Sequence, residues 1–460
     1  MVSKDNQLQE GQSRVGWMVD GLPDTPLISV MLSRTGSEVG ITIPFSDERS
    51  DPYHYWFSSN MMYADDPARS KRRYEAPNAI TFFSAGGSVG LVGSRESSSK
   101  RSWVGPGSGE GRLTFDFTVL GASSGSAFES VNGLRSEVEG LGTWVGLRAL
   151  DARQTLNEAG RLASVTLQLK SSEPIAVARR LNAAFQSNWR YGPGPGPDQT
   201  TISERMQIHT QVRQGVSWDE HLAIHFPLRD LLRVAAWRRL DFVSHEAMSH
   251  ADPLRTLDGA SHGDQWLPVI TYRTGISAKP PAKMSSLEFL FSFGDIGSVG
   301  VGRWLQLNQK FERGLQPLLR LLDLQGATLE AHLAQAGMGF EILGYDMLRA
   351  HGMSKRQADA KSWEERARAI SSAAADVLPF LEDDFVARFR QTYMAVKHAD
   401  RALPDLEVMH LAYRQAIQVF RSWTALRLGV PKKVLRAALE RDKVTRHIEA
   451  IEQSLPADAP

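Results

Sequence analysis

Short runs that alternate apolar and polar residues occupy the first two thirds of the chain, up to about residue 297, with Gly, Pro and Ser between them. A period of two places apolar side chains on one face of a strand and polar side chains on the other. The pattern therefore predicts antiparallel sheet, with strands at 27–33, 39–45, 79–83, 112–120, 163–169, 202–212 and 267–272.

The pattern changes from about Ser298 onward, where apolar residues recur with a period of 3.6, which is that of an amphipathic helix. Ser362 and Glu365 have the spacing of a capping box, and Gly429 with Pro431 is a helix stop signal. We expect a compact bundle with helices at 303–322, 328–351, 363–378, 383–397, 405–428 and 431–454. The predicted fold class is α+β, with a β-rich region at 1–297 and a helical domain at 298–460.

Four further segments of the first region carry predictions of their own. Residues 134–146 and 226–240 are predicted to be helical inserts, and the segment HLAIH (221–225) is predicted to be a strand. His221 and His225 have the spacing of metal ligands, but no glutamate lies between them and no third ligand is evident, so no metal site is predicted. The segment YGPGPGP (191–197) is predicted to be a surface connection.

Composition excludes several classes of chemistry. The chain of 460 residues has no cysteine, which rules out disulfides, a cysteine nucleophile, cysteine-ligated zinc and iron–sulfur clusters. The amino-terminal segment lacks the apolar core of a secretory signal, and no run approaches the roughly 18 apolar residues of a membrane-spanning helix. We therefore expect a cytoplasmic protein that needs no cofactor and has no membrane partner.

Positive charge concentrates in one part of the helical domain. The net charge of the whole chain is only +1, but residues 388–446 carry 13 basic and 5 acidic side chains, a net charge of +8. Such a stretch is able to attract phosphate groups. The alternative is a set of solvated helix faces with no binding role, and the sequence leaves both interpretations open.

The segment from Phe385 to Asp405 holds the candidate chemistry. Arg390 and Lys397 lie on one face of a predicted amphipathic helix, and His398 follows at its end, in a polar turn that includes Asp400 and Arg401. A histidine is able to take a proton from a ribose 2′-hydroxyl while a cation stabilises the phosphorane. His398, Arg390 and Lys397 are the predicted catalytic residues. The alternative is that His398 only caps the helix.

Several segments resemble those of a known family. They are GLGTWVGL (140–147), HFPLRDLLRVAAW (225–237), GFEILGYDMLRAHG (339–352), VKHADRALPD (396–405) and WTALRLGVP (423–431). Together with the order of the two regions, they resemble the ApeA family of bacterial anti-phage proteins. The resemblance implies an ApeA-type sensor or regulatory region at 1–297 and a HEPN domain at 298–460.

HEPN domains imply a metal-independent ribonuclease that acts as a homodimer. The RNA would be tRNA or mRNA, cleaved on infection in response to a phage-derived trigger. The catalytic histidine of the family corresponds to His398. HEPN nucleases typically have an arginine with four to six residues between it and the histidine, whereas seven separate Arg390 from His398. Lys397 or Arg401 could replace the arginine, and Glu341 is a supporting residue that would orient His398 or an arginine.

Two alternatives remain at this stage. The irregular arginine spacing suggests a catalytically degenerate HEPN domain that serves as an RNA-binding or protein-interaction module. The other alternative is an α+β scaffold whose basic stretch only keeps the protein in solution.

Overall fold

The computed structural model describes residues 7–22, 25–46, 50–102, 107–194, 196, 198–256, 258–274 and 287–455. The strands of this part of the chain are β1 (Ser13–Val19), β2 (Ile28–Thr35), β3 (Glu38–Ser46), β4 (Ala79–Ser84), β5 (Gly87–Ser102), β6 (Ser108–Leu120), β7 (Val131–Val138), β8 (Leu150–Leu156), β9 (Leu162–Leu169), β10 (Ile175–Ala178), β11 (Ala183–Pro193), β12 (Thr200–Val216), β13 (Phe242–Met248) and β14 (Leu267–Ile270).

Antiparallel pairing joins the strands into one large sheet and one hairpin. Among the described residues, the sheet has twelve strands in the order β10-β11-β12-β7-β13-β14-β6-β3-β2-β1-β4-β5, and β8 pairs with β9 separately. Because β5 also pairs along the length of β6, the strands from β6 to β5 close into a ring. Alternating apolar side chains such as Leu32, Ile41 and Phe115 fill the ring. The prediction of antiparallel sheet is confirmed.

The helices of the first region are α1 (Pro52–Trp56), α2 (Leu141–Val145) and α3 (Trp218–Ala236), and those that follow are α4 (Phe293–Leu319), α5 (Leu329–Ala350), α6 (Lys355–Asp359), α7 (Trp363–Ser371), α8 (Glu382–Lys397), α9 (Leu406–Leu428), α10 (Lys432–Leu439) and α11 (Lys443–Ser454). An antiparallel β-rich region is thus followed by an all-helical region. The predicted α+β class is confirmed.

The bounds of several helices differ from those predicted. The helix expected at 303–322 begins ten residues earlier, at Phe293, and the one expected at 363–378 ends at Ser371. The helix expected at 431–454 is divided into α10 and α11, because the Asp442 carboxylate accepts hydrogen bonds from Val444 N and Thr445 N and starts a new helix.

Two predictions in the first region are wrong. The segment 221–225 is part of α3 rather than a strand, since Ser217 and Glu220 form a complete capping box that starts a helix at Trp218. Residues 134–138, predicted to be helical, belong to β7, and only Leu141–Val145 of that insert is helical. Tyr191–Pro193 end β11 and pair with Thr200–Ile202, while positions 195 and 197 of the same segment lie outside the described residues.

The hydrophobic core continues from the β-rich region into the helices. One cluster contains Phe185 and Phe242 from the sheet together with Phe340, Phe389 and Trp423 from the bundle. The predicted boundary after residue 297 falls inside α4, at the point where Gly297 interrupts the helix with a φ of 57° and a ψ of −172°. The helical conformation is therefore interrupted at Gly297, and the apolar core continues on both sides of this interruption.

Arg421 is the central polar contact between the two regions. Its side chain is 1% exposed. From α9, it donates to Val234 O at 3.1 Å and Ala235 O at 2.9 Å, two carbonyls in the last turn of α3, of which Ala235 O also accepts from Leu290 N. The same guanidinium contacts Asp442 at 2.8 Å, at the start of α11. One buried cation thus joins three helices.

A chain of hydrogen bonds holds α3 against the sheet. It links three buried histidines to three hydroxyl groups with distances between 2.6 and 3.2 Å, running from Val131 O through His221, Thr210, His225, Ser136 and His245 to Thr274. Burial lowers the pKa of each of these histidines, to about 3 for His245. The rings are therefore neutral in the folded protein at neutral pH.

The buried arginine makes a testable prediction for stability. Arg421→Ala removes the cation that balances the buried Asp442 carboxylate and a side-chain donor to two carbonyls of α3, so the free energy of unfolding should fall by about 3–5 kcal/mol. Arg427→Ala, on the same helix but exposed, should change it by less than about 0.5 kcal/mol. Urea denaturation measures both variants. Equal stability of the two would contradict this role for Arg421.

The buried histidines predict a dependence of stability on pH. Burial also lowers the pKa of His209 to about 4. The unfolded chain, with ordinary histidine pKa values near 6.5, binds protons first as the pH falls, so stability decreases below about pH 7. Between pH 7.5 and 5.5, His209 and His245 should each lower the free energy of unfolding by about 1.4 kcal/mol.

A substitution separates this effect from other titrations. The Nε2 atom of His209 is buried without a hydrogen-bond partner, and its ring packs against Trp266. His209→Phe keeps an aromatic ring and removes the titrating group, so the loss of stability at pH 5.5 should shrink. His262→Ala, which removes an exposed histidine, should leave it unchanged. If the free energy of unfolding falls with decreasing pH as steeply in His209→Phe as in the parent protein, the effect does not come from His209 and this assignment is wrong.

Candidate active site

The end of α8 presents His398 to solvent. Its backbone N–H still donates to Met394 O at 3.1 Å, but its φ of −123° and ψ of 113° leave the helix, and Arg401 N closes the following turn by donating to His398 O. The residue is exposed. Within the described part of the chain, the imidazole makes no hydrogen bond or ion pair, so both ring nitrogens are open to a ligand.

A polar cluster lies directly before His398. Glu341 of α5 accepts a hydrogen bond from Arg366 Nη1 at 3.0 Å, and its other oxygen lies 3.5 Å from the Tyr393 hydroxyl. Lys397 Nζ is 4.0 Å from the same oxygen and 5.5 Å from the centre of the Tyr393 ring. One carboxylate thus faces two cations, and the four side chains form what we call the Glu341 cluster.

The pKa of Tyr393 is raised to about 12 by burial and by the neighbouring Glu341 carboxylate. The phenol therefore stays protonated and is able to donate to Glu341. Because the cluster holds two cations and one carboxylate, a positive charge remains at the end of α8. This charge offsets the negative end of the helix dipole, which would otherwise repel a phosphate group.

Two glycines on α5 allow the cluster to form. A Cβ at Gly337 would lie 2.1 Å from the Tyr393 ring, and a Cβ at Gly344 would lie 2.1 Å from the carbonyl oxygen of Arg366. Gly337 and Gly344 flank Glu341 at spacings of four and three residues, so all three share one face of the helix. The missing side chains bring α7 and α8 close enough for Arg366 and Tyr393 to contact Glu341.

Arg390 lies in a different environment. It forms an ion pair with Glu364 of α7, and its side chain is half exposed. Helix α8 runs without interruption to Lys397. His398 follows Arg390 by eight positions, which corresponds to about 12 Å along the helix axis and a rotation of about 80° around it. A single chain therefore brings Lys397 and Glu341 together beside His398, but not Arg390.

The remaining predicted residues are in the turn after α8. Asp400 and Arg401 are exposed, and neither side chain has a hydrogen bond or ion pair among the described residues. Arg401 follows His398 by three positions and is a cation without a structural partner. Lys397 differs from Arg401, because its ammonium group faces the Glu341 carboxylate.

Most of the basic residues between 388 and 446 have structural roles. Arg421 is buried, Lys432 pairs with Asp376, and Arg446 contacts Glu288. Arg388 donates to the side chain of Gln415. Part of the net charge of this segment is therefore engaged in contacts within the protein.

Arg366 and Tyr393 are the residues of the cluster that the sequence did not predict. The Nη2 atom of Arg366 also lies 3.3 Å from Ala358 O and 3.2 Å from Asp359 O, so this arginine ties α7 to the end of α6. Its partner Glu341 is 25 residues earlier in the chain, and the contact depends on the close approach at Gly344. The paired glycines on α5 were the available signal.

The described residues contain no group of three histidine, aspartate or glutamate side chains that could hold a metal ion. They also contain no helix that is both long and apolar enough to cross a membrane.

Comparison with known proteins identifies the first region. The family model named ApeA N-terminal domain 1 matches residues 30–304. The chain belongs to the ApeA family. No curated protein and no solved structure matches it.

Membership of the ApeA family indicates an anti-phage defence protein. The matched segment covers the strands from β2 to β14, helix α3 and the first part of α4, and it ends at Trp304. The rest of the bundle, which carries the Glu341 cluster and His398, lies beyond the match. Its assignment as a HEPN domain stays a prediction from the resemblance.

The close approach at Gly344 is testable. Gly344→Ala forces the Arg366 backbone away from α5 and should lower the free energy of unfolding by roughly 1–3 kcal/mol. Gly302→Ala is the matched control, because its Cβ would lie 3.8 Å from the nearest atom. That control should be stabilised by about 0.5–1 kcal/mol through higher helix propensity. Chemical denaturation distinguishes the two, and a stabilised Gly344→Ala would contradict the packing described.

Proposed function

We propose that this ApeA-family protein defends its host against phage by cleaving RNA at the end of α8. The substrate class is tRNA or mRNA, and no metal takes part in the step. His398 acts as general base and takes the proton of the ribose 2′-hydroxyl, whose oxygen attacks the adjacent phosphate, with Lys397 and Arg401 as the nearest cations along the chain. The bond from phosphorus to the 5′-oxygen of the next nucleotide breaks, which leaves a 2′,3′-cyclic phosphate and a 5′-hydroxyl that takes up a proton from the protonated His398 or from water. The β-rich region senses a phage-derived trigger.

One observation carries this proposal, namely the exposed imidazole of His398, which has no hydrogen-bond partner in the described part of the chain. A histidine that only capped the helix would have its ring engaged with backbone carbonyls. The Nζ atom of the adjacent Lys397 lies 4.0 Å from Glu341, so a cation is present next to His398 along the chain and close to the proposed position of the phosphate.

The spacing of Arg390 supports a homodimer as the active form. Within one chain, Arg390 and His398 are about 12 Å apart along α8 and cannot grip one phosphate together. We propose that two helical regions associate so that an arginine of one copy completes the site of the other. An arginine is suited to this because its guanidinium binds phosphate at two points.

A second function is favoured by the ion pair between Arg390 and Glu364. An arginine engaged in a structural contact is less available for catalysis, which fits a degenerate HEPN domain that binds RNA or a protein without cleavage. The two candidates differ in one measurable property, because only the first needs the imidazole of His398.

The test incubates the purified full chain with total tRNA and with mRNA in EDTA, alone and with components of phage-infected cells. Cleavage by the parent protein should fall by at least about 100-fold in His398→Ala. His351→Ala is the matched control, since His351 is also an exposed residue at a helix carboxyl end, on α5. It should cleave like the parent protein.

The outcomes separate the two candidate functions. Equal cleavage by the parent protein and His398→Ala would overturn the assignment of the base. No cleavage under any condition, together with salt-dependent RNA binding that survives His398→Ala, would replace the nuclease by the binding module.

A further inference from the structure

A large cleft lies between the β-rich region and the bundle. Its volume is about 1210 Å³. One wall is formed by α3 and by the corner between β10 and β11, and the other by α4 and the turn that follows it. This volume is ample for a small metabolite of several rings or phosphates. The cleft is separate from the end of α8, and none of the residues assigned above to RNA cleavage lines it.

The charge of the cleft is positive. Six arginines line it against three acidic residues. Three of these arginines are satisfied by the protein itself, since Arg229 pairs with Asp230, Arg233 with Asp241 and Asp323, and Arg273 with Asp219. The other three have no hydrogen bond or ion pair among the described residues and are Arg179, Arg180 and Arg320.

Unpaired guanidinium groups around one concavity repel each other, and an anion relieves that repulsion. Arg179 and Arg180 come from the corner after β10, whereas Arg320 follows the last residue of α4 on the other wall. The cations therefore approach the cleft from both regions of the protein. Because guanidinium groups bind phosphate through paired N–H donors, a phosphorylated ligand fits them.

Asn308 adds an unpaired hydrogen-bond donor to the wall of the cleft. Its side chain on α4 lines the cleft and is only 8% exposed, and the amide nitrogen has no hydrogen-bond partner. A buried amide of this kind calls for an acceptor. Three further amides, those of Gln306, Gln309 and Gln316, line the same wall. Amide side chains recognise the paired donors and acceptors at the edge of a nucleobase.

The cleft also has apolar surface for a flat ring. Phe226 and Pro227 of α3 lie on one side, and Leu305 of α4 lies on the other. Phosphate-binding arginines, amides and apolar side chains in one cavity match the three parts of a nucleotide. We propose that the cleft between α3 and α4 binds a nucleotide, with Arg179, Arg180 and Arg320 on the phosphates and Asn308 on the base.

The corner that carries two of these arginines has an unusual backbone. Leu181 and Asn182 directly follow Arg180, and both have positive φ values, 52° and 46°. Such a conformation is costly for residues other than glycine and persists only where the surroundings hold it. Asn182 Nδ2 donates to Gln211 O at 3.0 Å, which anchors the corner to β12. The pair of arginines is thus displayed from a fixed position.

The experiment measures binding by the full chain with isothermal titration calorimetry. ATP, GTP, AMP, inorganic phosphate and a short single-stranded RNA are the probes. At least one nucleotide should bind saturably, and its Kd should rise at least tenfold in the double variant Arg179→Ala/Arg180→Ala. Arg148→Ala/Arg161→Ala removes two exposed arginines outside the cleft and should leave the Kd unchanged.

A second variant tests the contact with the base. Asn308→Leu keeps the volume of the side chain and removes the amide, so it should weaken nucleotide binding about tenfold and leave phosphate binding unchanged. His398→Ala should bind the nucleotide like the parent protein, which keeps this test independent of RNA cleavage.

Four results would overturn the proposal. The first is that no nucleotide binds saturably at millimolar concentration. The second is that Arg179→Ala/Arg180→Ala binds the nucleotide with the same Kd as the parent protein. The third is that Asn308→Leu binds the nucleotide with the same Kd as the parent protein, which would leave a simple anion site. The fourth is binding of the RNA alone, which would make the cleft an RNA surface.

Discussion

The buried guanidinium of Arg421 is the contact on which the relation between the two regions depends. A helix leaves its last carbonyls without partners inside the helix, and α3 ends in the interior, where other parts of the protein must supply the donors. Arg421 supplies donors to two of these carbonyls and has its own charge balanced by Asp442. Since Asp442 also starts α11, the positions of α3, α9 and α11 are set together. The large shared core then packs around this polar centre.

Much of the secondary structure could be predicted from periodicity alone, because alternation of two and 3.6 residues separates the strands from the helices. The start of α3 could have been predicted as well, since Ser217 and Glu220 form a capping box in the sequence. The segment 221–225 was instead predicted to be a strand, because the alternation of residue types in HLAIH resembles that of a strand. The two histidines of this segment face the sheet as members of a buried hydrogen-bonded chain, an arrangement that depends on β7, β12 and β13 and has no local signal.

Only part of the candidate site could be predicted from the sequence. His398 and Lys397 are adjacent in sequence, so their joint exposure at the end of α8 needed no knowledge of the fold. The Glu341 cluster depends on Gly337 and Gly344, whose effect appears only when α7 and α8 pack against α5. The net positive charge of residues 388–446 is evident in the sequence, but it does not show which of these residues are exposed. Arg421, for example, is buried. The cleft likewise collects residues from positions 177 to 335, and no local pattern marks it.

Helices α4 and α5 connect the two charged sites of the protein. The cleft takes Asn308 and Arg320 from the α4 side, and α5 carries Glu341 on its far part. The two helices are in close contact, since a Cβ at Gly314 would lie 2.7 Å from the backbone of Leu343 and one at Gly339 would lie 2.6 Å from Leu318. Interfaces packed this closely do not deform gradually. Asn308 of the cleft and Glu341 of the cluster thus lie on two helices that contact each other directly at these glycines.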